Sequence, residues 1–263
     1  MSVEILLTND DGIDSDGLHV LAEALADVGD VTVVAPAEDQ SAVGRSMSTE
    51  VEIEEHELGY VIDGTPADCV VAGLCALCTD PDLVVAGCNR GANLGMYTLG
   101  RSGTISAAVE ATFFGVPAIA VSLYIPTGGE AFSEIETTPD DYAEAARSAR
   151  YLADNALDDG IFGSADYLNV NVPIPDDEPT PMRTTRPALR YEMDATYDGE
   201  TITLHDRVWD RMATGDIDDP PETDRRTVLD GAVSVSPLTA PHSVDSNEHL
   251  DELAARYSDA VGE

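Results

Sequence analysis

Apolar runs and amphipathic helical patterns alternate through the first 125 residues of the chain. Strands are predicted at residues 3–8, 31–36, 82–87 and 117–123, shorter extended pieces at 51–53 and 60–62, and helices at 18–28, from Thr65-Pro66 onward and at 102–114. The main strand runs are continuously apolar, which is typical of parallel strands covered on both faces. The pattern therefore predicts an α/β fold with a doubly wound, mostly parallel sheet.

Beyond Pro126 the alternation becomes less regular. The pattern predicts a helix at 140–157, strands at 167–173 and 232–238, and a C-terminal helix at 246–259. The intervening segment 174–230 is rich in Pro, Asp and Thr, which favours an extended arm or hairpin. A chain of 263 residues is long enough for one large domain or two small ones, and the α/β pattern favours one. We therefore expect a single domain over 1–263, with its core at about 1–173 plus 231–240.

The charge balance limits the chemistry and the partners. The chain has 51 acidic and 13 basic residues, a net charge of −38, and all 13 basic residues are arginine. The absence of lysine excludes lysine nucleophiles, lysine bases and Walker-type phosphate lysines. Such an acidic surface repels nucleic acid and membranes, and its self-repulsion is screened only at high salt. We expect a protein that binds neither nucleic acid nor membrane and folds best in molar salt.

The N-terminus and the hydropathy pattern predict a cytoplasmic protein. The start MSVEILLTNDDG enters a strand at once and has no basic segment of the kind that opens a signal peptide. No apolar run approaches the ~18 residues that a transmembrane helix needs.

Four cysteines, Cys69, Cys75, Cys78 and Cys88, allow two interpretations. The Cys75-Ala-Leu-Cys78 spacing suggests a zinc or redox site, but a zinc site needs a second close pair. The spacing also falls inside the apolar run CVVAGLCALC. We predict that all four are reduced core residues.

Polar residues follow the predicted strands, where the crevice of a parallel sheet lies. After the first strand come Asn9, Asp10, Asp11 and Gly12. Adjacent carboxylates are ligands that Mg²⁺ or Mn²⁺ prefers. Asp and Asn are also common in turns and helix caps, so these residues alone leave open whether they form a metal site or a turn.

The loop after the second strand, residues 35–46, contains Ser41 as a neutral ligand and Arg45 as a cation. Taken alone, this loop is better explained as ordinary surface.

The run after the third main strand favours anion binding. Asn89 and Asn93 offer amide groups, and Ser102-Gly103-Thr104 opens a helix whose free N–H groups and dipole favour an anion. Arg90 and Arg101 are further candidate charges in this run. A glycine-containing turn with Ser102 as N-cap explains the same letters less completely.

Taken together, these motifs resemble the SurE family of survival-protein nucleotidases over about residues 3–240. The resemblance rests on a set of motifs in a fixed order: LLTNDDGI, VVAP followed by QSAVG, YVIDGTPADCV, PDLVVAGCNRGANLG, SGT followed by AAVEA, GVPAIAVSL and TDRRTVLDGAVSVSPL. Each motif alone is weak, whereas the ordered set is specific.

The resemblance implies a Rossmann-like core and a 5′-nucleotidase, a divalent-metal-dependent phosphomonoesterase. Its substrates would be nucleoside 5′- and 3′-monophosphates and, in some members, short polyphosphate. One divalent ion per subunit, Mg²⁺ or Mn²⁺, would be held by Asp10, Asp11, Ser41 and Asn89. The phosphate would contact Asn93, Ser102, Gly103 and Thr104, with Arg45 as a further substrate-binding candidate. The family also implies a homodimer or homotetramer formed by exchange of the C-terminal arm.

The chain departs from the family pattern between Gly95 and Ser102. Many relatives carry a short acidic stretch ending in Tyr, whereas this chain has Met96-Tyr97-Thr98-Leu99-Gly100-Arg101, one residue longer. We expect this change to affect the rim of the site and the choice of substrate.

Other classes fit the sequence less well. A covalent aspartyl-phosphate enzyme would place its nucleophile at Asn9, which is a poor one. A phospho-receiver domain needs a lysine, and a dinucleotide-binding oxidoreductase needs G-x-G-x-x-G after the first strand. A nucleotide-binding module without activity stays open as the alternative.

Overall fold

The computed structural model describes residues 2–78, 80–128, 131–157, 160–174 and 180–240. The strands are β1 Val3–Thr8, β2 Gly29–Pro36, β3 Ile53–His56, β4 Gly59–Ile62, β5 Leu83–Arg90, β6 Ala118–Tyr124, β7 Tyr167–Pro173, β8 Met182–Thr184, β9 Met193–Tyr197, β10 Ile202–Asp206 and β11 Val233–Leu238. The α-helices are α1 Asp16–Leu25, α2 Pro66–Ala72, α3 Met96–Leu99, α4 Gly103–Phe113, α5 Ala143–Asn155, α6 Arg207–Thr214 and α7 Asp224–Leu229.

Nine strands form one sheet in the order β3-β4-β2-β1-β5-β6-β7-β11-β8. The strands from β4 to β7 in this order pair in parallel, and the antiparallel pairs β3–β4 and β7–β11 lie toward the two edges. The predicted α/β class with a mostly parallel, doubly wound sheet is confirmed.

The two faces of the sheet are covered by different helices. Ile5 and Leu7 of β1 pack on one face with residues of α1 and α5. Leu6 points to the opposite face, into a cluster with residues of α2 and α4. All three leucine and isoleucine side chains are fully buried. Because side chains alternate along a strand, burial of both faces requires the continuous apolar runs seen in the sequence.

Element boundaries differ from the predictions where polar residues extend an element. The strand predicted at 82–87 continues to Arg90, so Asn89 is part of β5 rather than of a loop. Within the segment 174–230, predicted as an extended arm or hairpin, α6 begins at Arg207 because the Asp206 carboxylate caps it.

The segment 174–230, predicted as an arm or hairpin, is only partly of that kind. β9 and β10 form a separate antiparallel hairpin. In contrast, β8 pairs with β11 in the main sheet, and α7 packs on β7 and β11. Leu94 and Tyr124 pack with Val208, Met212 and Val228 in a third, smaller apolar cluster. This cluster joins α6 and α7 to the loops at the carboxyl ends of the sheet. The predicted helix 246–259 lies outside the described residues.

The prediction for the cysteines is wrong at one position. All four are free thiols, and Cys69, Cys78 and Cys88 are buried, but Cys75 is exposed. It lies in a single wide helical turn, Gly73–Leu77, that continues α2 toward the surface. Among the residues that the structure describes, no three His, Cys, Asp or Glu side chains form a metal cluster, and no helix is long and apolar enough to cross a bilayer.

Candidate active site

A cavity of about 560 Å³ opens at the carboxyl ends of the parallel strands. The chain moves from β1 outward to β2 and later returns to place β5 on the other side of β1. The ends of β1 and β5 therefore flank the topological switch point, where doubly wound folds bind ligands. The cavity is lined by Asp10, Ser41, Ala42, Asn89, Arg90, Gly91, Ala92, Asn93, Tyr97, Thr98, Arg101, Ser102, Tyr124, Ile125, Thr127, Phe132, Met193, Asp206 and Trp209.

Asp10 and Asp11 contact two different elements of the core. Asp10 is almost fully buried, and its Oδ1 accepts a hydrogen bond from Thr104 Oγ1 at 2.6 Å. Asp11 Oδ2 accepts a hydrogen bond from the backbone N–H of Arg90 at 2.7 Å. The turn is permitted by Gly12, whose φ is +95°. The N-cap of α1 is Ser15, so the acid pair faces α4 and β5 instead of capping the helix that follows it.

Burial makes the charged form of both carboxylates unfavourable. Burial raises the pKa of Asp10, although hydrogen bonds from Thr104 oppose the shift. Burial, together with the neighbouring charge of Asp10, raises the pKa of Asp11 to about 7. Buried like charges of this kind are unfavourable unless a cation lies between them. The local electrostatics therefore favour binding of a positive ion.

Ser41 and Asn89 bring neutral oxygens to the cavity that Asp10 lines, whereas Asp11 is not among the residues that line it. The loop after β2 is tied to the acid pair because the Gln40 N–H donates to the Asp10 carbonyl at 2.7 Å. Ser41 Oγ donates to Asp39 Oδ1 at 2.6 Å. The Asn89 amide nitrogen donates to the Gly91 carbonyl, which orients the amide and leaves its oxygen as the ligand atom.

These four side chains fit a hard divalent ion. Their donors are two carboxylates, a hydroxyl and an amide, all oxygen ligands of the type that Mg²⁺ and Mn²⁺ bind. The unfavourable charge on buried Asp10 and half-buried Asp11 favours a cation between them. The residues present are therefore consistent with the predicted metal site.

Helix α4 begins against the acid pair. Ser102 is its N-cap, accepts a hydrogen bond from the Ile105 N–H at 3.1 Å and lines the cavity. A Cβ on Gly103 would lie 2.8 Å from Asp10 Cβ, so only glycine permits this close approach. Gly103 and Thr104 contact Asp10, and they are not among the residues that line the cavity. The positive end of the helix dipole thus faces the site where negative charge collects.

Comparison with known proteins identifies the family. The model of the family described as survival protein SurE matches residues 5–194. The chain belongs to the SurE family. A protein named 5′-nucleotidase SurE from Haloarcula marismortui is 63% identical, and the match covers 96% of this chain and 94% of that protein. Another of the same name from Halobacterium salinarum is 60% identical over 97% and 98% of the two chains.

A solved SurE structure shares the fold of this family member. The crystal structure of the SurE protein from Aquifex aeolicus superposes with a TM-score of 0.73 and 31% identity, covering 97% of this chain and 99% of that one. The similar sequences from halophilic archaea agree with the prediction of a protein adapted to high salt.

Asn93 is positioned by a buried amide network that the sequence analysis missed. Its side-chain nitrogen donates to Ser122 Oγ at 2.9 Å, and its backbone N–H donates to Asn171 Oδ1 at 2.8 Å. Asn169 and Asn171 both donate to the Asn93 carbonyl. A signal was present, because these two asparagines occupy alternate positions of an apolar strand near its carboxyl end.

A second missed residue, Asp224, anchors the same loop from far along the chain. It is fully buried, and its carboxylate accepts hydrogen bonds from the N–H groups of Gly95 at 2.7 Å and Ala188 at 2.9 Å. Burial raises its pKa despite these bonds. Asp224 belongs to the TDRR motif on which the family resemblance partly rested, so that motif holds the loop 91–95 in place.

Arg45 does not reach the cavity. Its guanidinium pairs with Glu110 Oε2 at 3.4 Å and lies 4.7 Å from the ring centre of Phe113. Glu110 is seven residues into α4, about 10 Å along the helix from Gly103. The structure therefore gives no support to the predicted substrate contact of Arg45, because its charge is already paired elsewhere.

Proposed function

We propose that this SurE family member is a 5′-nucleotidase, a phosphomonoesterase that hydrolyses nucleoside 5′-monophosphates with a bound divalent ion, Mg²⁺ or Mn²⁺. The observation that carries the proposal is the contact between Asp10 and the start of α4, in which Thr104 Oγ1 lies 2.6 Å from Asp10 Oδ1. An acid pair suited to a metal and a helix N-terminus suited to phosphate thereby occupy one place. The relatives named 5′-nucleotidase SurE support the reaction type.

Asp10, Asp11, Ser41 and Asn89 would hold the ion. When bound there, a divalent ion would polarise a phosphoryl oxygen and acidify a nearby water. Asp10 or Asp11 would accept a proton from the attacking water, because a carboxylate beside the ion is the basic side chain at this place. Ser102 and the dipole of α4 would stabilise negative charge on the phosphoryl oxygens. Asn93, fixed by its amide network, would orient the phosphate.

Several narrower properties are part of the same proposal. By family resemblance, nucleoside 3′-monophosphates and short polyphosphate are further substrates. The hairpin β9–β10, which stands apart from the main sheet, is the element we propose to be exchanged or shared in a homodimer or homotetramer. Exposed apolar side chains on it, Tyr197, Ile202 and Leu204, support this role. The acidic composition supports function in a salt-rich cytoplasm.

A covalent aspartyl-phosphate mechanism is less well supported. The position that would carry its nucleophile is Asn9, which is buried and whose amide nitrogen donates to the Gly12 carbonyl and to Ser15 Oγ. Asn9 therefore shapes the turn that presents the acid pair.

A phosphate-release assay in molar KCl, over a panel of nucleotides and divalent ions, tests the proposal. Wild-type protein should release phosphate from nucleoside 5′-monophosphates only when a divalent ion is added. Asp10→Asn should lose nearly all activity while keeping the native circular dichroism spectrum, and Ser102→Ala should lose part of it. Tight nucleotide binding without phosphate release under any metal would instead identify a binding module.

A further inference from the structure

The candidate site has an electrostatic problem that the residues discussed so far do not solve. A nucleoside monophosphate brings a phosphate dianion next to Asp10 and Asp11, in a chain of net charge −38. A divalent ion offsets the two carboxylates but leaves the dianion without a partner of its own. Since the chain has no lysine, any side-chain cation fixed at neutral pH must be an arginine.

Almost every arginine in the described part of the chain is already paired. Of the 13 arginines, Arg256 lies outside the described residues. Ten of the remaining twelve have a carboxylate oxygen within 4.0 Å among the described residues. The two that do not, Arg90 and Arg101, both line the cavity. In so acidic a protein, two arginines at one cavity with no carboxylate partner among the described residues indicate a place for an anionic ligand.

Arg90 is held by the protein itself. One of its guanidinium nitrogens donates to the carbonyls of Phe132 and Ile135, and the group lies 4.7 Å from the ring centre of Phe132. Its backbone N–H donates to Asp11. Through these contacts, Arg90 holds the segment 132–135 and the acid pair in position.

Within the described part of the chain, Arg101 keeps most of its hydrogen-bonding capacity. Its guanidinium lies 4.2 Å from the ring centre of Tyr97, and one nitrogen donates to the Tyr97 hydroxyl. A guanidinium has five N–H donors, and stacking uses its face while leaving its edge available. Arg101 also directly precedes Ser102, the N-cap of α4, so its charge adds to the positive end of the helix.

A stack of two aromatic rings restricts the position of Arg101. The Tyr97 ring packs on the Tyr191 ring with a centroid distance of 4.8 Å and an interplanar angle of 7°. Tyr191 is close in sequence to Met193, which lines the same cavity. Restricting an exposed arginine before the ligand arrives lowers the entropy cost of binding. Tyr97 and Arg101 belong to the stretch 96–101, and Tyr191 packs against it. The chain departs from the family pattern in this stretch.

We propose that Arg101 is the side chain that binds the substrate phosphate, and that Tyr97 and Tyr191 position it. This inference rests on the proposed function, because it assigns a residue to the phosphate of a nucleoside monophosphate in the same cavity. It gives Arg101 the role that the sequence suggested for Arg45.

The test compares Arg101→Gln and Arg101→Lys with the control variant Arg150→Gln. Arg150 lies on α5 and forms an exposed ion pair with Asp27, so the control removes an equal charge away from the cavity. Phosphate release is measured in molar KCl with Mn²⁺, and inorganic phosphate and the nucleoside are used as product inhibitors. Loss of a charge-assisted, bidentate contact should raise both the KM of the monophosphate and the Ki of phosphate by ~10- to 100-fold. The Ki of the nucleoside should change less than about twofold, because the nucleoside has no phosphate.

The other variants separate binding from structure. Arg101→Lys should recover part of the phosphate affinity, and Arg150→Gln should resemble wild type. Tyr97→Phe should keep the stack and most of the affinity, whereas Tyr97→Leu should weaken phosphate binding in the same direction as Arg101→Gln. An unchanged phosphate Ki in Arg101→Gln, or a nucleoside Ki that rises equally, would overturn the assignment.

Calorimetric titration of inorganic phosphate into the Mn²⁺-loaded protein keeps this test independent of turnover. If wild type binds phosphate and Arg101→Gln does not, the assignment stands even if no substrate is hydrolysed. If wild type hydrolyses monophosphates and Arg101→Gln binds phosphate equally well, the nucleotidase function stands and the Arg101 assignment fails.

Discussion

Replacing Asp11 by asparagine is expected to stabilise the protein when divalent ions are removed. Burial and the charge of Asp10 raise the pKa of Asp11 from 3.8 to about 7. This rise in pKa corresponds to ~4 kcal/mol of unfavourable free energy for the charged form in the folded state above pH 7. Asparagine removes the charge, and its amide oxygen can still accept the hydrogen bond from the Arg90 N–H.

The sign of the pH dependence follows from the direction of the shift. A carboxylate whose folded pKa is raised binds more protons in the folded state, so its unfavourable contribution grows between pH 4 and pH 7. Wild-type protein without metal should therefore become more stable, relative to Asp11→Asn, as the pH falls from 8 to 5. Mn²⁺ should reverse the order at pH 8, because only the wild type retains both carboxylate ligands.

Urea unfolding in molar KCl, with and without chelator, measures these differences. Asp30→Asn is the matched control, since it removes one carboxylate from an exposed position in β2 that has no ion pair among the described residues. A variant that is less stable than wild type in chelator at pH 8 would refute the reasoning. So would a stability difference that is the same at pH 5 and pH 8.

Further predictions concern the support of the site and the surface. Thr104→Val removes the hydroxyl that donates to buried Asp10 and should cost ~1–3 kcal/mol in urea unfolding together with most of the phosphate release. Asp224→Ala leaves the Gly95 N–H without its acceptor and should raise KM, with increased hydrogen exchange in the loop 91–95 as the readout. Cys75 should react with a thiol reagent in the native protein, while the three buried cysteines react only after unfolding, as counted by mass spectrometry. Dialysis into low salt without divalent ions should abolish the native circular dichroism spectrum, and its retention would contradict the electrostatic argument.

Much of the fold could be predicted because its signals are local. The strands β1 and β7 have the predicted limits, since each is an apolar run bounded by turn residues. The helix start at Ser102 was also predicted, because an N-cap and small residues mark it in the sequence. Segment 174–230 was harder, since β8 is short and exposed and owes its place in the sheet to pairing with β11.

The sequence marks candidate site residues where they lie at the end of a strand or in the motifs that come after it. Asp10, Ser41, Asn89, Asn93 and Ser102 are of this kind, and they line one cavity. Asp224 and Trp209 lie far from these motifs in the chain, and no local pattern shows that they reach the loop at 91–95 or the cavity.

The amino-acid sequence alone determined the class of fold, the acidic pair after β1 and the absence of lysine, because periodicity, turn chemistry and composition are properties of short segments. Only the tertiary structure decided which arginines form ion pairs among the described residues. The sequence does not distinguish Arg45 from Arg101. Ion pairing depends on what the fold places within about 4 Å of each guanidinium, and Glu110 lies beside Arg45 but not beside Arg101.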